Sequence, residues 1–494
     1  MKIQENRVIA TRDFMIYGQF LEHFHRQVYG GVFEPGSPLS NEKGLRKDVL
    51  DACRALGVPV IRWPGGCFVS AYHWREGVGQ NRQPSFDKAW RVEEPNTFGT
   101  AEFYELCKAL GSEMYLCGNA GTGTMEEMSD WLEYCNLESE GRYARARIAD
   151  GYPAPFGVRY FSIGNENYGM WELGAKESRE WGRLVAETAK LLNRVDPMAE
   201  LSAAALPDCE WNLELLKQAG PYLQWISLHQ YWDPIHFDNA LASYEQTMAY
   251  TAELSDALDK VIGILAATGY LGKIHIAYDE WNLRGWYHPS IHSIKQSTDK
   301  ADYLYPRDDN DDNSAYTMAD AVFTACVLNM LHRYAAHVKM ANYAPMVNTR
   351  GLIYTHKDGL VKRSTYHVFD LFAHKMGETV LDVWEPQAAM FEARHKDGKM
   401  REVTTVDAVA TRRADGAIVV SLVNKHPSQE ATVTLDFEGF TPCRATLHTI
   451  NGNGTNDYND IDRPNNICIR TQALSAWASV SLPPHSVNVV ELWG

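Results

Sequence analysis

No Cys-x-x-Cys pair occurs in this chain of 494 residues, and its nine cysteines are scattered and odd in number. That pattern argues against a disulfide scaffold and a cysteine-built zinc site. No segment is apolar enough to span a membrane. The opening stretch Met1–Ala10 lacks the apolar core of a signal peptide. The expectation is a soluble, reduced, cytoplasmic protein. Basic residues are in short supply: 47 Lys and Arg stand against 63 Asp and Glu, a formal charge of −16. A balance of that sign disfavours nucleic acid and anionic membrane as partners. No Gly-x-Gly-x-x-Gly follows the first strand-like run, so an open dinucleotide-binding sheet has no support. The acidic stretch Arg307–Asn313 offers oxygen ligands but lacks the EF-hand spacing and its glycine, and it reads as a solvated loop. No internal repeat or low-complexity tract stands out.

What is present is alternation. Hydrophobic residues make up 45% of the chain, typical of a globular protein. Its length calls for one large domain and at least one smaller one. Short apolar runs recur: Phe14–Leu21, Val58–Trp63, Met114–Cys117, Val158–Ile163, Glu200–Ala205, Trp225–Leu228, Ile274–Tyr278 and His337–Ala341. Between them lie stripes with helical period, such as Leu45, Val49, Leu50, Cys53 and Leu56 before Gly57, or Trp181, Leu184, Val185, Thr188, Leu191 and Leu192 before Pro197. Thr124 and Glu127 have capping-box spacing. Eight strand–helix alternations over residues 14–376 predict a closed (β/α)8 TIM barrel. Beyond about residue 380 the period falls to two, as in Ala431, Val433, Leu435 and Phe437. Residues 377–494 therefore predict an appended C-terminal antiparallel β-sandwich, joined by a strand from 1–13.

A barrel enzyme does its chemistry at the C-terminal ends of its strands. Glu22, Arg62, Asn119, Glu166, His229, Glu280 and Asn342 all fall there. A carboxylate placed at the end of a buried strand is costly unless it is satisfied or used. Two such sites, Gly164-Asn-Glu166 and Asp279-Glu280, suggest the acid and the carboxylate that glycosidic-bond hydrolysis requires. We assign Glu166 as acid/base, held protonated by its neighbours, and Glu280 as nucleophile, ionised by donors such as Arg62 and Tyr231. His229 is placed to position Glu166 or meet sugar hydroxyls, and Asn165 to bond the sugar 2-hydroxyl. Many of the 14 Trp and 25 Tyr residues fit packing better than sugar stacking. Cys67, in Gly-Gly-Cys-Phe, has no signature of a nucleophilic thiol.

Further stretches carry a resemblance: Gly18-Gln-Phe-Leu-Glu-His23, Arg62-Trp-Pro-Gly-Gly-Cys-Phe-Val-Ser70, Ala89-Trp-Arg91 and Asn96-Thr-Phe-Gly-Thr100. Asn119–Thr124, Gly164-Asn-Glu166, Ser227-Leu-His-Gln-Tyr231, Asp279-Glu-Trp281, Val347–Arg350 and Thr365–Phe369 follow in order. Together they resemble glycoside hydrolase family 51, the retaining α-L-arabinofuranosidases of clan A. The resemblance implies an exo-acting enzyme that releases terminal arabinofuranose from arabino-oligosaccharides by double displacement, with no metal or organic cofactor. It implies that Glu22, Asn165 and Tyr231 hold the furanose, with Arg62, Cys67, His229, Trp281 and Arg350 as further substrate-binding residues. It also implies a homo-oligomer, hexameric or trimeric. Cys67 stands where many members have Asn, and Asn348-Thr-Arg-Gly351 replaces a stretch where some supply a sugar-binding Gln. The alternatives are another retaining glycosidase on this scaffold (endo-β-glucanase, β-xylosidase or galactofuranosidase) and, from another class, a non-catalytic sugar-binding protein. Loops after the sixth and seventh strands are expected to block the pocket for exo action.

Overall fold

The computed structural model describes residues 1–235, 241–286, 312–385, 387–475 and 477–494. Eight parallel strands close into a barrel: β1 (Gly18–Phe20), β2 (Val60–Trp63), β3 (Glu113–Gly118), β4 (Tyr160–Ile163), β5 (Glu200–Ala205), β6 (Trp225–Ile235), β7 (His275–Trp286) and β8 (Val338–Tyr343). Each pairs with its sequence neighbours, and β8 pairs with β1 to complete the ring. The alternation predicts this barrel. The strands β6 and β7 run beyond their apolar starts and stay paired as far as Ile235 and Trp286, which carries polar side chains onto a paired, rigid extension of the mouth. The acidic residues 307–311, and the long loops expected to wall the pocket at 236–240 and 287–311, lie outside the described residues.

Local signals act where the sequence places them. The helix Lys47–Leu56 buries Val49, Leu50, Cys53 and Leu56 and stops at Gly57, whose φ of +66° is a left-handed cap. Thr124 caps the helix Met125–Asn136 by accepting the Glu127 N–H at 3.0 Å. The reciprocal half of that capping box is missing, because the Glu127 carboxylate is taken by His73 at 2.9 Å. Sequence periodicity also passes over the 3-10 turns Cys67–Ala71 and Trp74–Gly77 and the helix Gly141–Ala149. These pieces are too short or too polar to show an apolar stripe.

An eight-stranded sheet follows the barrel, its strands in the order Asp436–Glu438, Lys2–Thr11, Thr379–Trp384, Val406–Arg412, Ile418–Asn424, Ser486–Trp493, Arg444–Ile450, Ile469–Leu474. Its pairs are antiparallel except where Lys2–Thr11 meets Asp436–Glu438 in parallel. Alternation along Ile418–Asn424 and Ser486–Trp493 sorts side chains between two cores. Ile418, Val420, Leu422, Val490 and Leu492 face the two-stranded antiparallel sheet of Ala431–Thr434 and Ser479–Leu482, which lays Val433, Val480 and Leu482 over them. Val419, Val423, Val487 and Val489 point the other way and join the barrel core. Between the sheet and the barrel lies the helix Met318–Arg333, buried almost all round, as expected of a helix with apolar neighbours on every side. The run Ala431–Phe437, read as one strand, breaks at Leu435. Its two halves pair in different layers, the first with Ser479–Leu482 and the second with Lys2–Thr11. Among the described residues no helix is long and apolar enough to cross a membrane.

Candidate active site

Glu280 sits inside β7, opposite His229 of β6. In a regular strand, consecutive side chains point to opposite faces. Here the pairing with β6 slips between Ala277 and Glu280, a bulge of the kind that re-aims side chains at sites. As a result Asp279 and Glu280 both turn toward Arg62 of β2. The guanidinium donates from Nη1 to Glu280 Oε2 at 2.8 Å and from Nη2 to Asn165 Oδ1 at 2.7 Å, and its Nε lies 3.5 Å from Asp279 Oδ2. Tyr231 OH donates to the other Glu280 oxygen at 2.7 Å. Glu280 thus has a charged donor on one oxygen and a phenol on the other. Gly66 brings backbone against it: a Cβ there would stand 3.2 Å from Glu280 Oε2.

Glu166 lies just past β4, at a φ of +44°. That left-handed conformation is uncommon for a residue with a Cβ and tends to mark functional positions. His229 Nδ1 contacts its Oε1 at 2.9 Å, Trp171 Nε1 donates to Oε2 at 2.9 Å, and Tyr168 OH donates to Oε1 at 3.3 Å. One carboxylate oxygen of Glu166, one of Glu280 and a His229 ring nitrogen all lie within 4.8 Å of one another. His229 is held from behind: its Nε2 meets Ser227 Oγ at 3.1 Å and lies 3.4 Å from Asp279 Oδ1. Asp279, fully buried, also accepts from Ser227 Oγ and Tyr115 OH, each at 2.7 Å.

Electrostatics departs from the sequence-based expectation in one respect. Burial works against charge on Glu166, but the hydrogen bond and charge of His229 and the Trp171 N–H outweigh it and hold the carboxyl below its usual range. Burial likewise opposes a charged His229, yet the Glu280 carboxylate and the bonds to Asp279 and Glu166 raise it to about 10. The proton expected on Glu166 therefore rests on His229, and the pair holds one proton between them. Glu22 moves the other way. Burial first, then the Glu280 charge, pushes its carboxyl up to about 8. Its Oε1 accepts from the Gly66 and Phe68 N–H groups and from Trp90 Nε1, each at 3.1 Å.

The remaining predicted residues divide. Asn165 stands beside the carboxylates, with Nδ2 donating to Glu172 Oε2 at 3.3 Å. Cys67 opens the 3-10 turn next to Gly66, its sulfur near Glu166 and Glu172. Arg350 is buried against the Tyr231 ring at 5.4 Å, and its Nε and Nη1 have no hydrogen-bond partner among the described residues. Trp281 is not brought to the carboxylates. Next to Glu280 in the strand, it points to the opposite side, fully buried against Tyr343 and Phe369. Its contacts make it a packing residue. Asn119 and Asn342 are also taken up locally: the first accepts three loop N–H groups, Gly121, Thr122 and Gly123, at 3.0 Å each, and the second donates to Gln19 O at 2.7 Å. Sequence reasoning gave no part to Asp279, Ser227, Tyr115, Trp90 and Trp171. Asp279, Ser227 and Trp90 lie inside motifs given above, so the signal for them was present. Tyr115 sits in an apolar run and carried none.

Two family descriptions match: the α-L-arabinofuranosidase 1 domain over residues 52–249 and the α-L-arabinofuranosidase C-terminal domain over 279–486. An intracellular exo-α-(1→5)-L-arabinofuranosidase of Acetivibrio thermocellus is 31% identical, across 91% of this chain and 90% of that protein. The chain belongs to the α-L-arabinofuranosidases of glycoside hydrolase family 51. Solved family structures superpose closely. The thermostable family 51 enzyme of Thermotoga petrophila has a TM-score of 0.87 at 33% identity, over 100% of this chain and 99% of that one. The α-L-arabinofuranosidase of Thermotoga maritima in complex with arabinose has a TM-score of 0.87 at 33% identity, over 99% and 98%.

Proposed function

We infer that the protein is a retaining, exo-acting α-L-arabinofuranosidase that removes terminal arabinofuranose from arabino-oligosaccharides. The observation that carries this reading is the separation of the two carboxylates. Oxygens of Glu166 and Glu280 lie within 4.8 Å of each other, close to the roughly 5–5.5 Å of retaining glycosidases and short of the roughly 6.5–9.5 Å that an inverting enzyme needs for its water. Glu280, hydrogen-bonded by Arg62 and Tyr231, attacks the anomeric carbon. Glu166 protonates the leaving oxygen and then, as base, activates the water that releases arabinose. The shared proton suits this sequence. Attack consumes the Glu280 charge, one of the influences that keeps the proton on His229. The proton is thereby pushed toward Glu166 as the leaving group calls for it.

Asn165, Tyr231 and Glu22 border the carboxylates and are the residues we assign to the furanose, with Arg62, His229, Cys67 and Arg350 around them. A buried guanidinium with two idle donors is costly, and sugar oxygens would satisfy Arg350. We take residues 14–376 as the catalytic unit, with 377–494 and the strand from 1–13 as the second. We place the enzyme in the cytoplasm: the Acetivibrio relative is named intracellular, and all nine cysteines are unpaired, as a reducing compartment keeps them. We assign a homo-oligomer, hexameric or trimeric, from the family resemblance. The deciding experiment follows hydrolysis of an aryl α-L-arabinofuranoside by proton NMR beside a panel of other aryl furanosides and pyranosides. α-Arabinofuranose as first product supports the reading. The β-anomer, or preference for a pyranoside, overturns it.

A further inference from the structure

Glu166 also belongs to a second cluster beside the hydrolytic pair. One oxygen of Glu166, one of Glu172 and the sulfur of Cys67 all lie within 4.8 Å of one another. Glu172 is only 4% exposed, and its Oε1 is buried without a hydrogen-bond partner among the described residues. Its Oε2 accepts the long 3.3 Å bond from Asn165. A buried carboxylate is costly unless it is well satisfied, and around this one stand the Ser70 hydroxyl, the Cys67 thiol and a second carboxylate. Burial and the charge of Glu166 raise the Glu172 carboxyl to about 7, and burial with both glutamates pushes the Cys67 thiol well up. One cation in their midst would bind the Cys67 sulfur and the Glu172 oxygen and draw on a Glu166 carboxylate already held ionised.

The donor set says which cation. Magnesium and calcium demand six or more oxygens. Thiolate with carboxylate selects a borderline-soft, tetrahedral ion such as Zn²⁺. We propose that Cys67, Glu166 and Glu172 form a binding site for a thiophilic divalent cation, and that its occupancy switches the enzyme off by taking Glu166. On binding, the Cys67 S–H bond breaks and its proton passes to solvent. A sulfur–metal bond forms, two carboxylate oxygens coordinate, and water fills the fourth position. Affinity therefore rises with pH, because the metal competes with the thiol proton. The ligands must draw in to metal–sulfur and metal–oxygen distances of about 2.3 and 2.0–2.2 Å. The switch rests on the acid/base assignment of Glu166; the site itself does not.

The test uses the full-length protein, stripped of metal, with exposed Cys209 and Cys443 replaced by Ser in every sample. Cd²⁺ is titrated while the ultraviolet thiolate-to-metal absorption is followed, and Zn²⁺ is tested as an inhibitor of aryl arabinofuranoside hydrolysis. One equivalent of Cd²⁺ should raise the band in the parent protein and none in Cys67→Ser. Glu172→Gln should weaken both Cd²⁺ binding and Zn²⁺ inhibition by about ten-fold or more, since even partners outside the ligand shell are worth that much. Inhibition should be competitive with substrate. No band in the parent, or a band that survives Cys67→Ser, overturns the site. A Cys67-dependent band with turnover untouched by Zn²⁺ overturns the switch while leaving the site standing.

Discussion

Asp279 and Glu280 are consecutive in the chain, yet both reach the guanidinium of Arg62, at 3.5 and 2.8 Å. One slip of register in β7 brings two consecutive carboxylates to one guanidinium. Asp279 is enclosed by Arg62, Tyr115, Ser227 and His229. Glu280 is buried too, with Arg62 and Tyr231 on its two oxygens.

Glu280→Ala should lower turnover by several orders of magnitude. Azide fits the space the carboxylate vacates, and adding it should restore activity with a β-configured glycosyl azide as product, identified by NMR. Absence of rescue would count against the nucleophile assignment.

Glu166→Ala should cost about 10²–10⁴-fold in kcat/KM on substrates with poor leaving groups. Aryl arabinosides whose leaving groups depart without a proton should suffer far less. A Brønsted plot across a leaving-group series checks this, and a uniform loss would contradict an acid role.

Stability should fall as pH rises, through Glu22 and His229. Glu22 in the folded protein keeps its proton up to about pH 8 against an ordinary value of 4.5. In that window the native state binds more protons than the unfolded chain. Its stabilising share is complete below about pH 4.5 and lost as pH climbs through 8. His229, raised from 6.5 to about 10, contributes fully below 6.5 and loses its share on the way to 10. Tm measured by calorimetry should therefore decline from pH 5 to 9, and Glu22→Gln should flatten the lower part of that slope. An unchanged slope would mean that Glu22 is already ionised.

Arg284 closes the outer end of the extended strands. It donates to Asp233 at 2.7 Å and by two nitrogens to Asp320 at 3.0 and 3.3 Å, all three side chains buried. Arg284→Met should destabilise the fold by roughly 3–5 kcal/mol, because it leaves buried carboxylates uncompensated. Lys396 holds Asp233 from the second domain at 2.5 Å, so Asp320 bears most of that loss. A lower urea midpoint would register it.

Much of this was legible beforehand because barrel strands announce themselves twice, by an apolar run and by the polar residue that ends it. Glu22, Arg62, Glu166, His229 and Glu280 could each be placed at the mouth on that basis alone. What sequence pattern missed depends on geometry that no period encodes. Trp281 looked like a pocket residue by adjacency to Glu280, but the strand's alternation turns it into the core. Glu172 had no signal, being one more acidic residue on a polar loop until folding sets it beside Cys67. The resting place of the proton, on His229 rather than Glu166, follows from Asp279 and Glu280 both flanking the imidazole, and that convergence needs the bulge.

The strand Lys2–Thr11 lies between Thr379–Trp384 and Asp436–Glu438, which has a consequence for assembly. During synthesis it leaves the ribosome before the barrel does, while its partners follow on the order of tens of seconds later at roughly 5–20 residues per second. Until then it is an unclaimed edge, and Lys2, Glu5 and Arg7 within it are the charges that discourage pairing with a stranger. The second sheet cannot close before the barrel has been made, so a strand made ahead of the barrel is paired only after it.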